Sequence, residues 1–150
     1  MSKTVPFPSQ QWFEALACEM VEHGDEFRTL GPVDCTMVVK VDEAAGSQLL
    51  EVAFEGYAVK SVRSLESLDA AESDHFVIEA TLETWREMLD NIRANGAPDL
   101  EHTLNFLTFP DDPMVVSGPD QLQIDAFYRY AESLQRFFNG ASSITTSYAA

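Results

Sequence analysis

The stretch VDCTMVVKV, residues 33–41, leaves this chain few ways to fold. Val33, Cys35, Met37, Val39 and Val41 recur at every second position, against Asp34, Thr36 and Lys40, with Val38 the exception. A period of two sends alternate side chains to opposite faces, so the stretch predicts a half-buried strand. A turn at 42–47 follows, and then QLLEVAFEGYAVKSV, in which Leu50, Val52 and Phe54 alternate with Glu51 and Glu55. Gly56 interrupts that run and predicts a bulge or tight hairpin. Strands are therefore expected near 33–41, 49–55, 57–63 and 75–80, with Phe76 and Ile78 inward and a short fifth strand in MVVSG (114–118). The acidic segment ESLDAAESD (66–74) reads as a solvated surface loop.

Around these strands the period becomes helical. Ser9 is a plausible N-cap for a helix to His23, with Trp12, Phe13, Leu16 and Met20 on one stripe and Gly24 as its stop. Thr81 caps a second helix, whose stripe is Leu82, Trp85, Met88, Leu89 and Ile92 and whose end is Asn95-Gly96. A short helix is expected from Asp99 to about Leu107. Asp120 caps the longest, 121–139, with Ile124, Phe127, Tyr130, Ala131, Leu134, Phe137 and Phe138 on its apolar face. On its polar face Asp125–Arg129 and Glu132–Arg136 stand at the favourable i,i+4 spacing. Residues 1–8 read as an irregular lead-in and 141–150 as a small polar tail. The order of elements implies one α+β domain over 1–150, an antiparallel sheet of about five strands covered on one face by helices.

Composition narrows the function. With 25 acids against 9 Lys and Arg, the net charge is −16. Such a surface repels nucleic acid and anionic membranes, which are bound by neutralising phosphate with Lys and Arg. It suits a monomer or a small closed oligomer such as a homodimer, and it disfavours large anionic ligands unless basic residues converge. No apolar run approaches the roughly 20 residues that span a bilayer, and MSKTVPFPSQ does not read as a signal peptide, so a cytoplasmic address is expected. Cys18 and Cys35 are then expected as free thiols, Cys18 exposed and Cys35 buried. His23, His75 and His102 are dispersed and no Cys/His spacing resembles a metal site, so neither a metal nor a cofactor is expected.

The middle of the chain carries a family likeness. The strand pair LLEVAFEGYAVKSV, a loop, and then DHFVIEATLETWREML resemble the sterol-carrier-protein-like superfamily (the type-two sterol carrier domain), especially its small stand-alone bacterial members. In that family a strand with the pattern D-x-x-[IV] runs into a helix bearing Trp or Leu at the position of Trp85. The likeness covers roughly residues 33–95. Where members continue into a segment close to G-x-L-x-[IV]-x-G-D, this chain has NFLTFPDDPMVVSGPDQL, of which only VVSGPD is similar. The resemblance implies binding of a sterol, fatty acyl or other lipid-like ligand in a cavity between the sheet and the C-terminal helices.

On that reading the ligand-facing residues are Trp85, Leu104, Phe106, Phe109, Phe127, Tyr130, Leu134 and Phe137. Leu104, Phe106, Leu107 and Phe109 precede the PDDP turn at 110–113 and stand where the family has its cavity wall. Each has a plainer reading as core packing, which is what buried aromatics usually do. The alternative function is a small cofactor-independent lyase or isomerase that uses His102 and a nearby carboxylate in the same cavity, since such proton transfers need only one or two ionisable groups in an apolar pocket. No nucleophile–base pair and no phosphate loop is legible.

Overall fold

The computed structural model describes residues 4–109 and 113–148. Its centre is a five-stranded sheet: β2 (Cys35–Glu43), β3 (Gly46–Glu55), β4 (Ala58–Leu65), β5 (Phe76–Thr81) and β6 (Val115–Ser117), in the order β4-β3-β2-β5-β6. Three pairings are antiparallel and β2–β5 is parallel, so the sheet is mixed and not antiparallel throughout. The β2–β3 and β3–β4 pairs follow from short turns, whereas β5 reaches β2 only after the chain has left the sheet through 66–75, and β6 returns to β5 only after an excursion from Leu82 to Met114. Gly56 turns β3 into β4 at a φ of 64°, a conformation that suits glycine. The β3–β4 register shifts between Ala53 and Phe54, a β-bulge just before that turn.

The helical layer lies on the face of Met37, Val39, Val41, Leu50, Val52 and Ile78. α1 (Gln10–Glu22) is capped by Ser9, whose side chain accepts from the Trp12 amide at 3.0 Å, and it buries the predicted stripe. α3 (Leu82–Asn95) starts at Thr81, ends at left-handed Gly96, and buries Trp85, Met88, Leu89 and Ile92. The helix expected over 99–107 is a 3-10 turn, Leu100–His102, followed by a one-turn α4 (Leu104–Leu107). The chain beyond Gly24 does not stop; it forms α2 (Gly24–Leu30).

The single helix expected over 121–139 is two. α5 (Gln121–Arg129) ends and α6 (Ala131–Asn139) begins at Tyr130, at φ −104°, ψ 10°. The halves serve different surfaces: Phe127 of α5 packs on Phe76 of β5, while Phe137 of α6 packs on Phe54 of β3. The i,i+4 ion pairs expected there do not form. Asp125 accepts from Gln121 and Arg136 reaches Glu26 at 2.5 Å.

The ends of the chain are not a lead-in and a tail. β1 (Thr4–Phe7) and β7 (Thr145–Tyr148) pair in parallel as a second small sheet. Trp12 Nε1 donates to Thr146 Oγ1 at 3.0 Å, Arg93 donates to the Ile144 carbonyl, and Arg86 lies 4.8 Å from the Tyr148 ring centroid. Burial, with Asp90 next, pushes the Tyr148 phenol well above its usual range.

The other face of the sheet is covered by the 66–74 segment, which is not simply solvated. Val38, Leu49, Leu65 and Val77 form a small cluster there with Ala71 against it. Glu51, 1% exposed, accepts from Arg63 Nε at 2.7 Å and from the Glu72 amide at 2.8 Å. Arg63 also donates to the Ala70 carbonyl. This carboxylate fastens the segment to the sheet.

Candidate functional site

Two clefts flank the aromatic core. The first, about 610 Å³, opens where β2 begins, β3 ends and α5 passes over. Cys35, Phe54, Leu122 and Ala126 give it an apolar lining, and Thr36, Ala53 and Ser61 contribute one row across the sheet. Its rim carries Lys60 and Arg129 against Asp34, Glu55, Glu72 and Asp74. Lys60 is 3.7 Å from Glu55, and among the described residues Arg129 makes no ion pair, its guanidinium lying over the Tyr130 ring. Glu72 is held in place by the Glu51 carboxylate, so the fastened segment forms one wall. Cys35 is half-buried rather than buried; desolvation, and then the charge of Asp34, pushes its thiol up to about 12, so it is protonated at neutral pH. Cys18 is exposed and free, as expected.

The second cleft, about 420 Å³, lies between α1, α2, the end of α3 and α6. Met20, Phe27 and Phe137 form its apolar part; His23 and Arg136 stand with Glu19 and Glu26 around it. Glu26 joins these two side chains, 3.4 Å from His23 and 2.5 Å from Arg136.

The structure separates the residues expected around one cavity. Trp85, Leu104, Phe127, Leu134 and Phe137 are buried in a single core, each at most 1% exposed. Trp85 packs against Phe138 at 5.7 Å and donates from Nε1 to the Lys40 carbonyl. Tyr130 is half-buried at the helix break. Phe106 and Phe109 are turned outward, 50% and 79% exposed. The turn expected to follow them at 110–113 lies, except for Pro113, outside the described residues. Cys35, Phe54, Leu122 and Ala126 were not legible as a site because they come from three distant segments, and only folding brings them to one opening.

His102 lies in neither cleft. It is hydrogen-bonded to Asp99 at 2.6 Å, with Glu87 at 4.0 Å. The His102 hydrogen bond is the main cause that holds the Asp99 carboxyl below its usual range. A general acid needs the opposite, a carboxyl raised by burial. Among the described residues no group of three or more His, Cys, Asp or Glu is placed to hold a metal ion. Among them, too, no helix is long and apolar enough to cross a membrane.

No protein-family model and no curated protein matches the chain. Two solved structures share its fold. One is a conserved hypothetical protein from Thermus thermophilus, described as a candidate sterol carrier protein, at TM-score 0.66 and 18% identity over 98% of this chain and 94% of that one. The other is sterol carrier protein 2, at TM-score 0.66 and 18% identity over 91% of this chain and 97% of that one. The chain has the sterol-carrier-protein-like fold, with a five-stranded sheet in an α+β arrangement.

Proposed function

We propose that this protein binds an uncharged, elongated apolar molecule, of the sterol or fatty-chain kind, in the cleft between the sheet and α5. The fold it shares with sterol carrier proteins supports a lipid-like ligand. The observation that carries the reading is the 610 Å³ cleft itself, within the range of small-molecule sites, whose largely polar and charged lining encloses an apolar patch of Cys35, Phe54, Leu122 and Ala126. Leu122 stands at its lip 71% exposed, an apolar side chain offered to whatever enters. Charge selects the head group. Two cations against four carboxylates on the rim, within a chain of net charge −16, disfavour a carboxylate or phosphate head. In this reading Phe127 and Phe137 form the wall behind the cleft, Trp85, Leu104 and Leu134 brace it, Tyr130 sets the α5–α6 bend, and Phe106 and Phe109 lie outside it.

A plug tests the site. Ser61 is exposed on the cleft wall, so Ser61→Trp fills the opening without entering the core. Titration with a fluorescent uncharged long-chain alcohol should show saturable binding to the parent and a loss of at least about tenfold in the variant, a cost of about 1.4 kcal/mol. The melting temperature should stay near the parent's. Equal binding by both proteins would move the site elsewhere.

A further inference from the structure

The face that α5 turns to the first cleft is ordered by polarity. Leu122, Ala126 and Arg129 stand at i, i+4 and i+7, the spacing that puts side chains on one side of a helix, and all three line the cleft. Leu122 stands exposed at the lip and Ala126 is buried. Arg129 ends the row, about 10 Å from Leu122 along the helix axis. A molecule lying along α5 therefore has carbon beside most of its length and a guanidinium at one end.

Arg129 is also the cation of the rim with donors to spare. Lys60 is paired with Glu55 at 3.7 Å. Among the described residues Arg129 makes no ion pair and no hydrogen bond. Its guanidinium lies over the Tyr130 ring, 5.7 Å from the centroid, a contact that steadies it without using its N–H groups. A place in the last turn of α5 suits any cation, because the helix dipole is negative there. That accounts for a charge and leaves the fork of donors unused. The acceptors of the rim divide in the same way. Asp34 accepts from the Gly56 amide at 3.1 Å and Glu55 is held by Lys60, whereas the carboxylates of Glu72 and Asp74 have no partner among the described residues. The mouth thus offers free donors from α5 and free acceptors from the 66–74 segment. A hydroxyl is the neutral group that uses both, since it accepts and donates, while a carbonyl or ether oxygen only accepts. A carboxylate would use Arg129 alone, against the charge of both acids.

We propose that Arg129 is the specificity-determining residue of this site: it donates to the oxygen of a ligand hydroxyl, and the apolar body of the ligand lies along α5 towards Leu122. The proposal rests on the binding reading above and deepens it, from an uncharged apolar molecule to one that ends in an alcohol and lies in one direction.

The test compares two fluorescent ligands of equal length, a long-chain primary alcohol and the alkane that lacks its hydroxyl, on the parent and on Arg129→Met, which keeps an unbranched stem and has no donors. The substitution should weaken the alcohol about tenfold, the low end for a hydrogen bond to a charged group because the rim is open to water, and leave the alkane and the melting temperature as they are. Arg129→Lys, which restores a donor, should recover most of the loss. In amide NMR spectra of the parent, a nitroxide at the methyl end of the alcohol should broaden Leu122 and Gln123 more strongly than Arg129. Equal weakening of both ligands by Arg129→Met, or of neither, would overturn the proposal and leave the binding reading standing, and so would broadening strongest at Arg129. Failure of the parent to bind either ligand would remove the binding reading and the proposal together.

Discussion

The two faces of the sheet are held by different physics. On the helix side, Met37, Val39, Val41, Val52 and Ile78 meet Trp12, Trp85, Phe127 and Phe138 in one large apolar cluster. On the loop side, four aliphatic residues and Ala71 make a small cluster, and the covering segment is fastened by one buried carboxylate. Apolar burial is non-directional and grows with area, so no single contact on the first face is indispensable to its geometry. A hydrogen-bonded carboxylate is directional, and removing it leaves its donors without a partner. The first face should therefore govern global stability, and the second should govern where the 66–74 segment lies and hence the shape of the cleft it borders.

The largest effect expected from breaking this contrast is on the helix side. Trp85→Ala should cost about 3–5 kcal/mol in chemical denaturation, through lost burial and the cavity left behind. Glu51→Ala should cost less, about 1–3 kcal/mol, but change the loop locally: the Glu72 amide should lose hydrogen-exchange protection and 66–74 should become open to proteolysis. Equal global cost with no local change would erase the distinction between the faces.

Alkaline pH probes both ends of the helix side. Burial pushes the Cys35 thiol from its ordinary 9.0 up to about 12, and the Tyr148 phenol is shifted the same way. A raised acid favours the fold while it stays protonated. Its contribution is full below the unfolded value and is lost as pH climbs from there through the folded one. Melting temperature should hold near neutrality and fall above about pH 9, less steeply in Cys35→Ala. In native protein at neutral pH a thiol reagent should label Cys18 first, and occupancy of the first cleft should slow Cys35 further.

The smallest effect belongs to the residues turned outward. Phe109→Ser should change stability by no more than about 0.5 kcal/mol, because its ring is 79% exposed. A fall of several kcal/mol in a thermal melt would place that ring in the core.

What could be read from the sequence divides along the same line. β2 and β3 were legible because alternation is a local signal and a half-buried strand has no other pattern. Ser9, Thr81, Asp120 and Gly96 were legible because a cap acts within one helical turn. β1 and β7 were not: each is four residues, too short to show a period, and each is a strand only because the other is beside it. Glu51 read as a solvent-facing alternation, since nothing nearby in sequence announces that Arg63 and the Glu72 amide close over it. Tyr130 carries no glycine or proline to mark the helix break. Of the candidate site, Phe137 was named from its stripe; Phe54 was read only as an inward strand residue, and its place beside Phe137 is a tertiary fact.

Native mass spectrometry of the protein purified from its own host tests the central claim most directly. The account predicts one uncharged lipid-like molecule retained per chain, and its absence from Ser61→Trp purified in the same way. A parent protein that carries nothing, or a bound species whose mass identifies a charged, polar molecule, would contradict it.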